Sequence, residues 1–290
     1  MTEDSKAYWA WLQLSLGEGS FKPKRILSYF PDIPSFYDAG PTQWRSMGLF
    51  TPKELKQLSK NTLEDGKILI ASSEAKGIQI ITPACKAYPQ RLYQIDNPPC
   101  MLYVKGSLPN LDEQPALAVV GTRNATTTGK QITYDLSMQL AQAGMVIISG
   151  GAKGIDTAAH QGALQGNGIS VCVLGCGIEY PYLMENESMR QSIAEHGAII
   201  SEFPVTKPAF KHHFPIRNRI ISGLSVGVLV VEAAERSGSL ITARTALEQN
   251  RDVFAVPCGI YNPVSEGVNN LIKAGAKPVT KAQDILEEYT

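Results

Sequence analysis

The chain has 290 residues, of which 43% are hydrophobic and 19% charged, and this composition excludes an intrinsically disordered protein. Its 27 basic and 27 acidic residues balance, so the chain lacks the net positive charge that would by itself indicate a nucleic-acid partner, and any such site must be a local cluster of cations. The length favours one large domain with a small accessory one.

Residues 1–6 contain no basic segment followed by an apolar stretch, and no run approaches the roughly 18 apolar residues of a membrane span. Five cysteines without a CxxC pair are typical of thiols in a reducing compartment rather than of disulfides or a zinc site. These features predict a cytoplasmic protein that does not contact a membrane.

Residues 1–75 are predicted to form a small helical domain. Their apolar residues recur at helical spacing, as at Ile26, Leu27 and Phe30, between glycines and prolines. The segment LGEG at 16–19, followed by a basic helix, fits a helix-hairpin-helix in which glycine amides approach a DNA phosphate. A helical packing module without a DNA contact fits the same residues, and both interpretations stay open.

Residues 76–290 are predicted to form one α/β domain. Two short strands come first, at 78–83 and 101–106. Six apolar runs rich in Val and Ile follow, at 116–120, 145–148, 170–174, 198–200, 226–231 and 252–256. Most of these runs precede a segment with helical periodicity, and a last helix is predicted at 282–288. Such alternation predicts a Rossmann-like, mostly parallel, doubly wound sheet.

Ligands bind at the carboxyl ends of the strands in such a sheet, so the loops after the strands carry the most information. Two of these loops, GTR at 121–123 and SGGAKGID at 149–156, have glycines that allow backbone amides to approach an anion. A tight turn explains one glycine-rich loop equally well, but cations in both loops favour a phosphate cradle. The predicted residues are Gly121, Thr122, Arg123, Ser149, Gly150, Gly151, Lys153 and Gly154.

These loops do not match the common nucleotide-binding motifs. Neither the GxGxxG spacing nor a Walker A sequence ending in Gly-Lys-Ser/Thr is present. The sequence therefore disfavours a dinucleotide-dependent enzyme and predicts no cofactor.

The segment KPAFKHHFPIRNR at 207–219 holds four cations and no acidic residue, with Phe214 near its middle. Cations can follow a nucleic-acid backbone while a ring stacks on an unpaired base, which is worth about 1–3 kcal/mol per base. A solvated helix face is the plainer alternative. A metal site at His212 and His213 is disfavoured, because no carboxylate or third histidine lies at ligand spacing.

The loop after residues 226–231 leads into another helix. Ser237, Gly238 and Ser239 precede that helix and form an anion-friendly N-terminus, although a simple N-cap has the same appearance. Glu232 is interpreted as a structural carboxylate that orients an arginine, and a catalytic role for it stays open.

Together these segments resemble the DNA-processing protein A (DprA/Smf) family. The similarity begins near residue 88, and it includes GTR at 121–123, SGGAKGID at 149–156, HFPIRNRIISGLSVGVLVVEA at 213–233 and RSGSLITARTALEQNRDVFAVP at 236–257. The N-terminal helices are similar to that family's sterile-alpha-motif-like or hairpin-like domain, in a less distinctive way.

The resemblance implies a non-catalytic protein that captures and protects incoming single-stranded DNA and helps to load the RecA recombinase during natural transformation. It also implies a homodimer formed through the region around Leu271 and Ile272. Besides the two glycine-rich loops, the family's DNA groove corresponds here to Lys211, Phe214, Arg217, Asn218, Arg219, Ser237, Gly238 and Ser239.

Two rival functions are open. Several Rossmann-like relatives cleave nucleoside monophosphates with a Pro-Gly-Gly-x-Gly-Thr-x-x-Glu loop, where this chain instead reads RSGS at 236–239. The other rival is a scaffolding partner of the recombination machinery with a vestigial anion pocket.

Overall fold

The computed structural model describes residues 3–289. Within them the chain begins with five helices: α1 (Glu3–Leu16), α2 (Lys22–Leu27), α3 (Ile33–Ser46), α4 (Pro52–Lys60) and α5 (Leu63–Glu74). Capping boxes start α4 and α5, pairing Thr51 with Glu54 and Thr62 with Asp65. These local signals define where the two helices begin.

An aromatic cluster forms the centre of this helical unit. The ring centroid of Trp11 lies 5.9 Å from that of Phe36 and 5.7 Å from that of Trp44. Ile80 and Tyr103 of the following strands pack into the same buried cluster. The helical unit therefore shares its core with one edge of the sheet.

Nine strands in the described part of the chain form a single sheet. They are β1 (Gln79–Ile81), β2 (Leu102–Gly106), β3 (Ala116–Val120), β4 (Val146–Ser149), β5 (Ser170–Leu174), β6 (Ala198–Ser201), β7 (Gly227–Val230), β8 (Asp252–Ala255) and β9 (Lys277–Pro278). Their order is β1-β2-β6-β5-β4-β3-β7-β8-β9. The strands β3 to β9 pair in parallel, whereas β1 and β2 add an antiparallel edge. The predicted, mostly parallel Rossmann-like fold is confirmed.

Helices cover both faces of this sheet. They are α6 (Gln90–Tyr93), α7 (Thr127–Gln142), α8 (Ile155–Gln165), α9 (Glu187–His196), α10 (His213–Gly223), α11 (Gly238–Glu248), α12 (Glu266–Lys273) and α13 (Gln283–Leu286). Alternate residues of β3 face opposite sides: Ala118 packs in the core beneath α10 and α11, and Leu117 in the core beneath α7 and α8. This two-sided burial explains why the strands are apolar throughout.

The predicted division after residue 75 falls between α5 and β1. The loop after α1 also contacts the α/β domain. The Gly19 amide donates a 3.0 Å hydrogen bond to Oε1 of Glu202. A side chain at Gly19 would also collide with Ile216. An amide used in this way cannot approach a phosphate, so the packing favours the helical packing module over the helix-hairpin-helix.

The last helix is shorter than expected. α10 begins at His213, within the basic segment 207–219, and α13 is a single turn at Gln283–Leu286, shorter than the helix predicted at 282–288. No helix among residues 3–289 has both the length and the apolar character needed to cross a bilayer.

Candidate nucleic-acid interface

The strand order changes direction at β3, which lies between β4 and β7. A cleft of about 320 Å³ opens at the carboxyl ends of β3 and β7, as expected at such a switch point. We call it the switch-point cleft. Its walls are the loop after β3, the start of α10 and the start of α11. Eight of the predicted residues line it: Gly121, Thr122, Arg123, Phe214, Asn218, Ser237, Gly238 and Ser239.

An exposed cation and an aromatic ring meet in this cleft. The guanidinium carbon of Arg123 lies 5.0 Å from the ring centroid of Phe214, within the range of a cation–π contact. On another side, the ring of Tyr182 lies 5.6 Å from that of Phe214. Arg123 is exposed and Phe214 half-buried, so the pair offers a positive charge beside a partly accessible ring.

A buried carboxylate holds the loop that carries Arg123. Glu232 is 3% exposed, and its two oxygens accept hydrogen bonds from the amide (2.9 Å) and the hydroxyl (2.6 Å) of Thr126. The amide of Thr122 donates to the backbone carbonyl of Glu232 at 2.7 Å. Glu232 therefore has the structural role inferred for it, although it orients a threonine rather than an arginine.

The N-terminus of α11 provides hydroxyl groups and the positive end of a helix dipole. Ser237 caps this helix, and its Oγ lies 2.7 Å from Oγ of Ser239. The space around Gly238 is open. The side-chain amide of Asn218 donates a hydrogen bond to the Gly238 carbonyl at 3.5 Å. Such a terminus favours an anion such as a phosphate.

The second glycine-rich loop packs closely against its neighbours. Ser149 is fully buried and its hydroxyl donates to the carbonyl of Val119 at 2.6 Å, so it is not a free donor. A side chain at Gly150 would occupy the position of the Arg217 guanidinium. Gly151 and Gly154 have φ values of 68° and 82°, which suit glycine. These glycines therefore allow the tight turn of the loop, and Gly150 leaves room for the Arg217 guanidinium.

Arg217 lies beneath the cleft rather than on its surface. It is 4% exposed, and its Nη1 donates to the carbonyls of Gly150, at 2.8 Å, and of Val173. Burial raises the pKa of the neighbouring Asp156 carboxyl, and the positive charge of Arg217 opposes that rise. The guanidinium carbon is 5.8 Å from the Phe214 ring centroid. Arg217 thus supports the ring and the loop from below.

Arg219 was predicted to belong to the site, but the structure does not bring it to the switch-point cleft. It is 5% exposed, and its Nη2 lies 2.7 Å from Oε1 of Glu202 in a buried ion pair. Its Nε donates to the carbonyl of Asn97 at 3.0 Å. Residues two apart on a helix point in different directions, so Arg217 and Arg219 cannot serve the same surface.

The two predicted lysines lie outside the cleft lining. Lys211 is exposed in the turn before α10. Lys153 is exposed on the other side of its loop, where its Nζ lies 2.5 Å from Oε1 of Glu185. A side chain at Gly154 would nevertheless sit 2.7 Å from the Arg123 carbonyl oxygen, so the two loops are in direct contact.

Sequence reasoning missed several residues of the cleft. Ile241 and Thr242 of α11 line it, as does Asp156. Ile241 is 45% exposed, and the available signal was an apolar residue in the first turn of the helix that follows the serine-rich loop. His213, considered for a metal, is buried and stacks on Phe203 at 4.1 Å. Among the described residues there is no cluster of three metal-ligating side chains.

Comparison with known proteins places these features in a family context. The model of the family "DNA recombination-mediator protein A" matches residues 79–290. DNA processing protein DprA of Bacillus subtilis is 42% identical over 220 residues, which cover 76% of this chain and 74% of the relative. Protein Smf of Synechocystis sp. is 37% identical over 292 residues, which cover 99% of this chain and 73% of the relative.

Solved structures agree with this similarity. The X-ray structure of DNA processing protein A from Streptococcus pneumoniae superposes with a TM-score of 0.84 at 33% identity, covering 100% of this chain and 99% of that one. DNA processing protein A from Helicobacter pylori, studied for its unique single-stranded DNA binding mode, gives a TM-score of 0.66 at 32% identity. That match covers 73% of this chain and 98% of the other.

Proposed function

The chain belongs to the DNA recombination-mediator protein A (DprA/Smf) family, and on that premise we propose that it binds single-stranded DNA in the switch-point cleft. The observation that carries the proposal is the exposed Arg123 guanidinium 5.0 Å from the Phe214 ring, beside the N-terminus of α11. The cation attracts a phosphate, the ring stacks on a base, and the hydroxyls of Ser237 and Ser239 add polar partners.

The same geometry favours a single strand over a duplex. Phe214 is half-buried at the side of a cleft, so only a base that has left its stack can reach the ring. Paired bases stack on one another and expose only their edges in the grooves. The proposed site therefore selects flexible, unpaired DNA without reading its sequence.

Phe214→Ala is expected to weaken binding of an oligo-dT by about 1–2 kcal/mol, because one stacked base is lost, and to leave the weaker duplex binding nearly unchanged. Fluorescence anisotropy with labelled single-stranded and duplex oligonucleotides measures both. Phe210→Ala is the matched control, because Phe210 is exposed and stacks on His212 outside the cleft. Equal losses on both DNA forms would instead make Phe214 a packing residue.

We propose no catalytic step at this site. Both carboxylate oxygens of Glu232 are engaged by Thr126, so this group is poorly placed to act as a general acid or base. The loop at 236–239 reads RSGS, which differs from the loop of the nucleotide-cleaving relatives. Nucleoside monophosphate incubated with the protein should stay intact under conditions where oligo-dT binds, and release of free base would support the enzymatic alternative.

The finer role follows from the family alone. We propose that the protein acts in the cytoplasm, protects incoming single-stranded DNA and helps to load the RecA recombinase during natural transformation. We also propose a homodimer through Leu271 and Ile272, which are half-buried on α12. A pull-down with RecA tests the interaction with the recombinase. Light scattering of the wild type and of Leu271→Glu tests the homodimer. A RecA-negative result would leave DNA binding intact.

A further inference from the structure

A second groove lies between α7 and α8, on the far side of the loop that carries Lys153. It has a volume of about 460 Å³, and Lys130, Gln131, Tyr134, Lys153 and Gln161 are among the residues that line it. We call it the α7–α8 groove. None of its lining residues, all of which lie in the described part of the chain, is acidic.

The α7–α8 groove combines cations with a ring. Lys130 and Tyr134 are four residues apart on α7, so the ammonium group and the ring lie on the same helix face. Lys130 is exposed and Tyr134 half-buried. The pair of Lys153 with Glu185 is more than half exposed at both side chains. Exposed pairs contribute little, so a phosphate can replace Glu185 as the partner of Lys153.

The groove adjoins the switch-point cleft, and one ridge of backbone separates the two. Gly154 lines the groove and lies against the carbonyls of Thr122 and Arg123, which belong to the cleft wall. The amide of Ile155 also donates to the Thr122 carbonyl at 3.3 Å. A chain that leaves the cleft over Arg123 can therefore cross this ridge into the groove lined by Lys153 and Lys130.

We infer that the α7–α8 groove holds the next nucleotides of the single strand whose first part occupies the switch-point cleft. Phosphates lie at Lys153 and Lys130, and one base stacks on Tyr134. This inference rests on the proposed function of the cleft. It assigns the protein a longer binding site than the cleft alone can provide.

A length series of oligo-dT tests the inference. An oligonucleotide of about 5 nucleotides fills the cleft alone, and one of about 15 nucleotides spans both sites, within the range of site sizes known for single-strand binders. Affinity is measured by fluorescence anisotropy at several salt concentrations for the wild type, Lys130→Gln and Tyr134→Ala. Lys105→Gln is the matched control, because Lys105 is exposed on β2 and pairs with Ile199 near the opposite, amino end of β6.

For the longer oligonucleotide we expect Tyr134→Ala to lose about 5-fold or more in affinity. We expect Lys130→Gln to reduce the slope of log K against log[salt] by about 0.7, since one phosphate contact is removed. The shorter oligonucleotide should bind all variants equally. If both oligonucleotides bind the wild type and neither variant changes the longer one, this inference is overturned and the cleft stands. If neither oligonucleotide binds the wild type, the proposed function fails as well.

Discussion

Arg219→Leu is expected to lower the free energy of unfolding by about 3–5 kcal/mol, because it leaves the Glu202 carboxylate buried without its cation. Glu202 is 2% exposed, and the ion pair that would be lost has a 2.7 Å contact. The same carboxylate accepts the Gly19 amide, so the variant also weakens the junction between the helical unit and the α/β domain. Urea denaturation followed by circular dichroism measures the loss.

The control for this prediction removes the buried charge that the variant leaves unpaired. Arg219→Leu combined with Glu202→Gln keeps an acceptor for the Gly19 amide and no longer buries an unpaired carboxylate, so it should recover much of the lost stability. The affinity of folded Arg219→Leu for oligo-dT should equal that of the wild type. A stable Arg219→Leu variant with weakened DNA binding would restore the DNA contact predicted from the sequence.

Most of the α/β architecture could be predicted because its signal is local. The apolar runs at 116–120 and 170–174 coincide with β3 and β5, since strands buried on both faces are apolar throughout. β9 was not predicted, because a strand of two residues, Lys277–Pro278, has no periodicity to detect. The antiparallel pairing of β2 with β6 joins segments nearly 100 residues apart, and nothing local specifies it.

The candidate site was predicted at the level of loops and less well at the level of side chains. Carboxyl ends of parallel strands meet at one edge, which is why the loop of Arg123 and the loop of Ser237 converge. The direction of each side chain depends on tertiary packing. Helical geometry separates Arg217 from Arg219, and Gly150 makes room for the Arg217 guanidinium. A basic run therefore indicates that cations are present without indicating which of them are free.

Arg123→Ala is expected to reduce the affinity for oligo-dT by about 1.5–3 kcal/mol, or ~10-fold to 100-fold, because a charged hydrogen bond to phosphate is lost. The reduction should be similar for oligonucleotides of different sequence, since phosphate contacts position DNA without reading bases. The slope of log K against log[salt] should fall by about 0.7. Anisotropy titrations at several salt concentrations give both quantities.

Two further variants separate charge from geometry at this position. Arg123→Lys retains the charge but loses the planar group 5.0 Å from the Phe214 ring, so it should keep the salt dependence and recover only part of the affinity. Arg45→Ala removes an exposed arginine from α3 of the helical unit and should change neither quantity. If Arg45→Ala weakened binding as much as Arg123→Ala, long-range charge would explain the affinity. The proposal that the switch-point cleft is the binding site would then be wrong.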